Sequence, residues 1–296
     1  MSPTSDDLGR ALVDACARLG LDPAEAEPVR LGENAVYRLP GGIVVRISRP
    51  GQHHAAEKEI RIARWLADHD VPAVRALDSV AQPILSGDRA ATFWEELPPH
   101  RHGTPAEVAG AIRRLHDLPV PDDLPLGDLD PFVRLRDRID SALTLPAQDR
   151  HWLRAHLRTL EDRYLDLPPG LPARVVHGDA WVGNVVATAD RRVVLLDLER
   201  CAVGPPEWDL VSTAIKHTSF GWVTAADYHD FCRRYGHDVT TWAGFSLLRD
   251  IRELRMTCYL AQRATEHPAA RDEARSRVDC LRHRVGSRPW AWTPAP

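Results

Sequence analysis

Three short polar side chains fall close together beyond the middle of the chain, each at the end of an apolar run. Asp179 follows His177 and Gly178 directly after Val175 and Val176. Asn184 comes five residues later, and Asp197 closes the run Val193-Val194-Leu195-Leu196. Short β-branched runs bounded by turn residues read as strands, so all three groups sit on loops at strand ends. A carboxylate that accepts a hydroxyl proton, beside a carboxamide and a second carboxylate that offer hard oxygens to Mg²⁺, is what a phosphoryl-transfer site requires. Loop capping by Asp and Asn is the ordinary alternative. It accounts for one such residue better than for three in this arrangement.

Such a site needs elements that hold a nucleotide against it, and the first third of the chain has the pattern for them. Leu8, Leu12, Ala15 and Leu19 recur at helical spacing, and Gly20 fits a helix stop. The period then shortens. Strands are expected at 29–31, 36–39 and 43–48, joined by the turns Gly32-Glu33-Asn34 and Pro40-Gly41-Gly42, as an antiparallel meander. The first turn is open to two readings: a plain hairpin turn, or a loop whose backbone N–H groups cover phosphates. Arg46 lies mid-strand, with Val45 and Ile47 on the opposite face by alternation. A helix over 55–68 carries Glu57 and Glu59 in its first turns, and a strand cation paired with a helix carboxylate would be aimed at phosphates. His53 and His54 precede that helix and are poorly spaced to chelate one metal. Two more strands are expected at 80–85 and 90–96. The connector through Glu95 and Leu97 to Pro99 loses periodicity, and a base could bond to its backbone.

The remainder is mostly helical. Thr104-Pro105-Ala106-Glu107 is a helix start: capping threonine, proline at the first helical position, glutamate three residues on. Further helices are expected at 132–143, 147–166, 206–219, 224–235, 242–265 and 269–285. The Trp-Ala-Trp tail either packs on them or frays. A mostly β lobe over 1–97 is thus followed by a mainly helical lobe over 98–296, interrupted by the small β island that carries the polar triad.

Composition narrows the class. The chain has 296 residues, 44% hydrophobic and 27% charged, with a formal net charge of −4. That is ordinary globular composition, with no basic field to suggest nucleic acid or an anionic membrane. No apolar run approaches the roughly 18 residues of a membrane span, and the N-terminus has no secretory pattern. Five scattered cysteines without a C-x-x-C point to a reducing cytoplasm rather than to disulfides or zinc.

The string H-G-D-A-W-V-G-N, followed by L-L-D-L-E and then G-P-P-E-W-D-L at 204–210, resembles the aminoglycoside phosphotransferase and choline kinase group of small-molecule kinases. The resemblance covers most of the chain. It implies an α+β, bilobal protein-kinase-like fold: a small antiparallel β N-lobe with one key helix, and a larger, mainly helical C-lobe. It implies ATP or GTP as donor, Mg²⁺ as cofactor and a small-molecule hydroxyl as acceptor, with antibiotic modification among the family's roles. Asp179 takes the place of the catalytic base, Asn184 and Asp197 those of the metal ligands, and Asp209 that of a buttress for the catalytic loop. Arg46 stands where lysine is commonest, with Glu59 as its implied partner. Arginine keeps the charge but presents a bidentate fork. Gly32 and Asn34 match the phosphate-covering turn, and Glu95 and Leu97 the connector. His177 is expected to bond the loop backbone. Glu199 is open to two readings, an auxiliary metal or substrate contact and a salt bridge. Trp181 is likewise open, between stacking on an acceptor and packing on the helices.

The acceptor is less defined. From Ser212 onward 13 basic residues stand against nine acidic ones, an excess of four that argues against a polycationic substrate. Asp227, Asp230, Asp250 and Glu253 are the acids in this region that could reverse the balance by facing the cleft. Two further readings are a catalytically silent nucleotide-binding pseudokinase and a His/Asp metal hydrolase, for which His177 lacks a nearby second histidine.

Overall fold

The computed structural model describes residues 5–31, 34–124 and 126–294. Helix α1 (Ser5–Leu19) lies on a five-stranded antiparallel sheet made by β1 (Glu27–Leu31), β2 (Ala35–Leu39), β3 (Ile43–Ile47), β4 (Ile84–Ser86) and β5 (Arg89–Glu95), in the order β1-β2-β3-β5-β4. The alternation of β3 decides which face is which. Val45 and Ile47 are fully buried with Leu39 and Phe93 under Ala11, Leu12, Ala15 and Cys16 of α1. Arg46 therefore projects from the other face, where helix α2 (His53–Asp68) crosses. The apolar side of α2 (Ile60, Ile62, Ala63, Leu66) belongs to the larger core that continues into the helical part.

That part contains α3 (Pro105–His116), α4 (Leu135–Ser141), α5 (Ala147–Tyr164), α6 (Glu207–Thr218), α7 (Ala225–Tyr235), α8 (Phe245–Arg263) and α9 (Arg271–Leu281). Helix α3 starts with the expected reciprocal capping box: Thr104 accepts from the Glu107 N–H and Glu107 accepts from the Thr104 N–H. Such a cap contributes about 0.5–2 kcal/mol. Between α5 and α6 lie β7 (Arg174–Val176), β8 (Val185–Thr188), β9 (Val193–Leu195) and β10 (Ala202–Gly204). The tail packs rather than frays. Trp290 and Trp292 are buried, the Trp290 N–H donates to Ser219 O, and Trp292 stacks on Phe220 at 4.7 Å.

Several elements differ from the sequence-based expectation. The strand expected over 80–85 is paired only from Ile84, because Pro83 has no N–H to give a ladder. Helix α2 begins at His53, so the two exposed histidines form its first turn instead of preceding it. A strand unforeseen in His100–His102, here β6, pairs with β8 and completes a three-stranded sheet β6-β8-β9. Its side chains are exposed and polar, so backbone pairing alone makes it a strand. The helices expected at 132–143, 242–265 and 269–285 are each shorter at their ends. No helix among the described residues is long and apolar enough to cross a membrane.

Candidate active site

Strand β7 runs directly into the loop that carries Asp179, and the loop's shape is enforced from beneath. Gly178 has φ +80°, and a Cβ there would lie 2.4 Å from Arg200 O, so only glycine fits. Asp209, in the first turn of α6 and fully buried, accepts from the His177 N–H at 2.6 Å and the Gly178 N–H at 2.9 Å. On its other side it meets His116 Nε2 of α3 at 3.1 Å, and His116 Nδ1 meets the Tyr235 hydroxyl at 2.8 Å. Burial works to raise the Asp209 pKa but is outweighed by His116, His177 and Arg252, which hold it below the usual carboxylate range. Trp208 Nε1 and Arg252 both donate to Gly178 O, and Arg252 lies over the Trp208 ring at 3.9 Å. His177 is fully buried, with Nε2 at 2.8 Å from Leu196 O and Nδ1 accepting from the Asp179 N–H. It is placed to hold the loop, not to reach a substrate.

The three polar groups read from the sequence converge. Asn184 Nδ2 donates to Asp179 O at 3.0 Å and Asp179 Oδ2 at 3.3 Å, and no hydrogen bond reaches its Oδ1 among the described residues. Its main-chain oxygen accepts from Leu196 N, which ties the Asp179 loop to the Asp197 turn. Asp197 adopts a left-handed conformation at φ 56°. Its Oδ1 is buried without a hydrogen-bond partner. Burial raises the Asp197 pKa, opposed by Arg46 and reinforced by the neighbouring charges of Glu199 and Asp179. An orphaned carboxylate oxygen among other carboxylates, with a carboxamide oxygen facing no donor, fits a small hard cation. Among the described residues no group of three His, Cys, Asp or Glu side chains is spaced to hold a metal alone. A divalent ion here would draw its remaining ligands from phosphate and water, as Mg²⁺ commonly does.

On the sheet side, Arg46 Nη1 donates to both oxygens of Glu59 at 2.8 Å, and Glu59 Oε1 also accepts from Leu198 N. One buried carboxylate thereby ties β3, α2 and the Asp197 turn together, while Glu57 is exposed. The other arm of Arg46 reaches Glu199 at 3.0 Å and approaches Asp197 Oδ1 at 3.7 Å. Glu199 therefore forms a salt bridge with Arg46. Burial works to lower the Arg46 pKa, but Glu59, Asp197 and Glu199 together raise it, so the guanidinium stays charged. A recess beside it is lined by Asn34, Ser48, Gln52, Thr92 and Glu199. Asn34 is half-buried there and accepts from the Arg49 N–H through Oδ1. Gly32 lies outside the described residues. Of the two connector positions, the Glu95 N–H is taken by Arg75 O, whereas Leu97 keeps both backbone groups without partners among the described residues. A separate groove lined by Val71, Glu107, Arg114 and Arg234 touches none of these residues.

Four contributors escaped the sequence reading: His116, Trp208, Arg252 and Lys216. Trp208 sits inside the quoted W-D pair and could have been noticed there. His116, Arg252 and Lys216 lie on three helices, with nothing local to mark them. Lys216 is two turns beyond Asp209 on α6, half-buried, with Nζ 5.1 Å over the Trp181 ring. That ring is 38% exposed and rests against Gly183, where a Cβ would lie 2.3 Å from it.

A β lobe that presents an ion-paired cation, joined to a helical lobe that presents Asp179, Asn184 and Asp197, defines a kinase-like phosphotransferase. The particular family follows from comparison. The phosphotransferase enzyme family matches residues 25–248, and the chain belongs to it; it is a small-molecule kinase. The fold is similar to aminoglycoside phosphotransferase APH(3'')-Id from Streptomyces rimosus ATCC10970, at 25% identity and a TM-score of 0.63, over 83% of this chain and 98% of that one. It is also similar to a choline/ethanolamine kinase family protein from Mesorhizobium loti (20%, TM-score 0.63, 91% and 94%). A third is macrolide 2'-phosphotransferase MphH from Brachybacterium faecium (19%, TM-score 0.55, 91% and 97%). No curated protein matches the chain.

Proposed function

We propose that the protein moves the γ-phosphoryl group of ATP or GTP to a hydroxyl of a small molecule, with Asp179 as the base. The observation that carries this is the convergence of Asp179, Asn184 and Asp197, whose Oδ1 accepts no hydrogen bond, opposite the Arg46–Glu59 pair. Asp179 accepts the acceptor's proton as its oxygen bonds to the γ-phosphorus, and the bond to the bridging oxygen breaks to release the nucleoside diphosphate. Arg46 orients phosphate oxygens, held in register by Glu59. Leu97 and Glu95 are the connector positions that would meet the base, and Asn34, in the recess beside Arg46, would face the phosphates. Asn184 and Asp197 would hold Mg²⁺, which supplies charge neutralisation at the transferring phosphate when bound. A solved relative carries ADP and streptomycin together, and another carries AMP-PNP and Ca²⁺, which supports a donor nucleotide with a divalent ion. Five free cysteines, four of them buried, agree with a reducing cytoplasm.

The test is nucleoside diphosphate release with purified protein and ATP or GTP, with and without Mg²⁺. The panel spans aminoglycosides, macrolides, choline, sugars, homoserine and hydroxy acids. Release that needs both an acceptor and Mg²⁺ is expected. Nucleotide binding with no acceptor-dependent release across that panel would favour the pseudokinase reading, whose one support is arginine at position 46.

A further inference from the structure

The side of the site facing away from the nucleotide recess has an unusual charge arrangement. Lys216 on α6, Arg200 after the Asp197 turn and Arg255 on α8 are all half-buried, and among the described residues no carboxylate forms an ion pair with any of them. None of the three is remote from the catalytic loop. Lys216 feels the charges of Asp179 and Arg252; Arg255 feels those of Arg252, Arg200, Arg138 and Asp179. Arg252 approaches Asp179 Oδ1 at 3.9 Å. Arg252 is spoken for, bound to Trp208 O and stacked on the Trp208 ring, and Arg255 donates to Pro131 O. Lys216 lies over the face of Trp181 and, among the described residues, its ammonium makes no hydrogen bond. Asp179 thus has Arg252 and Lys216 on one side and Asp197 on the other.

The acids that could have made this wall suit a polycation are used elsewhere. Asp227 pairs with the Thr224 hydroxyl at the start of α7, and Asp230 pairs with Arg233 on the surface. Asp250 and Glu253 are neutralised by Arg249 and Arg288. Uncompensated cations held partly out of water raise the energy of the empty site, and an anion offsets that directly. Three other partly buried arginines do carry a carboxylate partner: Arg46 with Glu59, Arg282 with Asp149 and Arg288 with Glu253.

We infer that the acceptor is an anionic alcohol, a hydroxylated carboxylate or phosphate ester, whose charged group is held by Lys216 beside the Trp181 ring while its hydroxyl meets Asp179. This rests on the phosphotransferase reading and assigns its substrate class. Lys216 is then a specificity-determining residue: it sets which hydroxyl compound is accepted, and Asp179 performs the transfer.

A set of polyols differing only in the head group tests it: gluconate, sorbitol 6-phosphate, sorbitol and glucamine, alongside streptomycin, choline and homoserine. ADP release with ATP and Mg²⁺ is expected to show the highest kcat/KM for an anionic member, and gluconate against sorbitol 6-phosphate separates carboxylate from phosphate recognition. Lys216→Met should raise KM for the preferred anion about 10-fold, the equivalent of one charge-assisted hydrogen bond, with little change in kcat, and Lys216→Arg should restore it. A neutral or cationic best acceptor overturns the inference and leaves the phosphotransferase reading standing. So does an equal loss of kcat for every acceptor in Lys216→Met, which would make Lys216 a contact of the transferring phosphoryl group. Release with no member of this set but with a neutral or cationic compound of the wider panel overturns the inference alone, and release with neither set sinks both readings. If Lys216→Met does not fold, the charge ranking of the wild-type protein decides alone.

Discussion

The two sides of the site hold cations in opposite ways. On the sheet side Arg46 is locked by a bidentate bond to Glu59 and a second bond to Glu199. On the helical side Lys216, Arg200 and Arg255 form no ion pair with a carboxylate among the described residues, although Asp179 acts on Lys216 and Arg255 from further off. A preset cation suits a donor whose phosphates are the same at every turnover; its position matters more than its free charge. Unpaired cations suit a ligand that must bring its own charge. In the proposed function the sheet side serves geometry and the helical side selection.

The largest effect should come from breaking the centre that both sides share. Asp197→Ala removes the orphaned carboxylate and should lower kcat/KM by roughly 10³-fold, several kcal/mol of charge stabilisation, with loss of the Mg²⁺ titration. An unchanged metal titration would exclude Asp197 as a ligand. Next is the support beneath the loop. Asp209→Ala leaves the N–H groups of His177 and Gly178 and the His116 ring without their buried acceptor, at about 1–3 kcal/mol for each unsatisfied group. A thermal midpoint within a degree of wild type would show that Asp209 does not brace the loop. On the sheet side alone, Arg46→Ala should raise the apparent KM for nucleotide by about 10-fold or more and leave the acceptor constant in place, since one charge-assisted phosphate contact is lost. Arg46→Lys should recover part of the loss. A change confined to the acceptor constant would erase the division between the two sides.

The smallest effect concerns stability on the helical side. Burial lowers the Lys216 ammonium to about 7, with Asp179 opposing and Arg252 adding to the fall; the Trp181 ring covers its other face. A lysine with a depressed folded-state pKa binds fewer protons folded than unfolded between about 7 and the ordinary lysine value, so stability rises with pH across that window. Lys216→Met should therefore raise the thermal midpoint by a few degrees below pH 7, and the gain should vanish near pH 10.5, the ordinary value. A midpoint lowered at pH 6 would show that the charge is compensated after all.

The sequence made one side of this comparison far more visible than the other. Asp179, Asn184 and Asp197 share one short β island, and Arg46 alternates with buried valine and isoleucine, so local period and spacing expose them. Asp209 was reachable because it begins a helix within the same motif. The helical side draws on Arg200, Lys216 and Arg255 from separate elements, and no local pattern relates them to Asp179. Net charge from Ser212 onward could not separate Lys216, near Asp179 and Trp181, from Arg233 on the surface. In the fold, strands with alternating apolar residues were legible. β6 was not, because three exposed polar residues become a strand only when β8 is beside them.

The central claim is that Asp179 is the base at the meeting point of the two sides. Asp179→Ala, compared with wild type by single-turnover γ-phosphoryl transfer and by direct nucleotide titration, tests it most directly. A loss of roughly 10²–10⁴-fold in transfer, with the nucleotide dissociation constant unchanged within about threefold, is the predicted result. Transfer at near wild-type rate in that variant would contradict it.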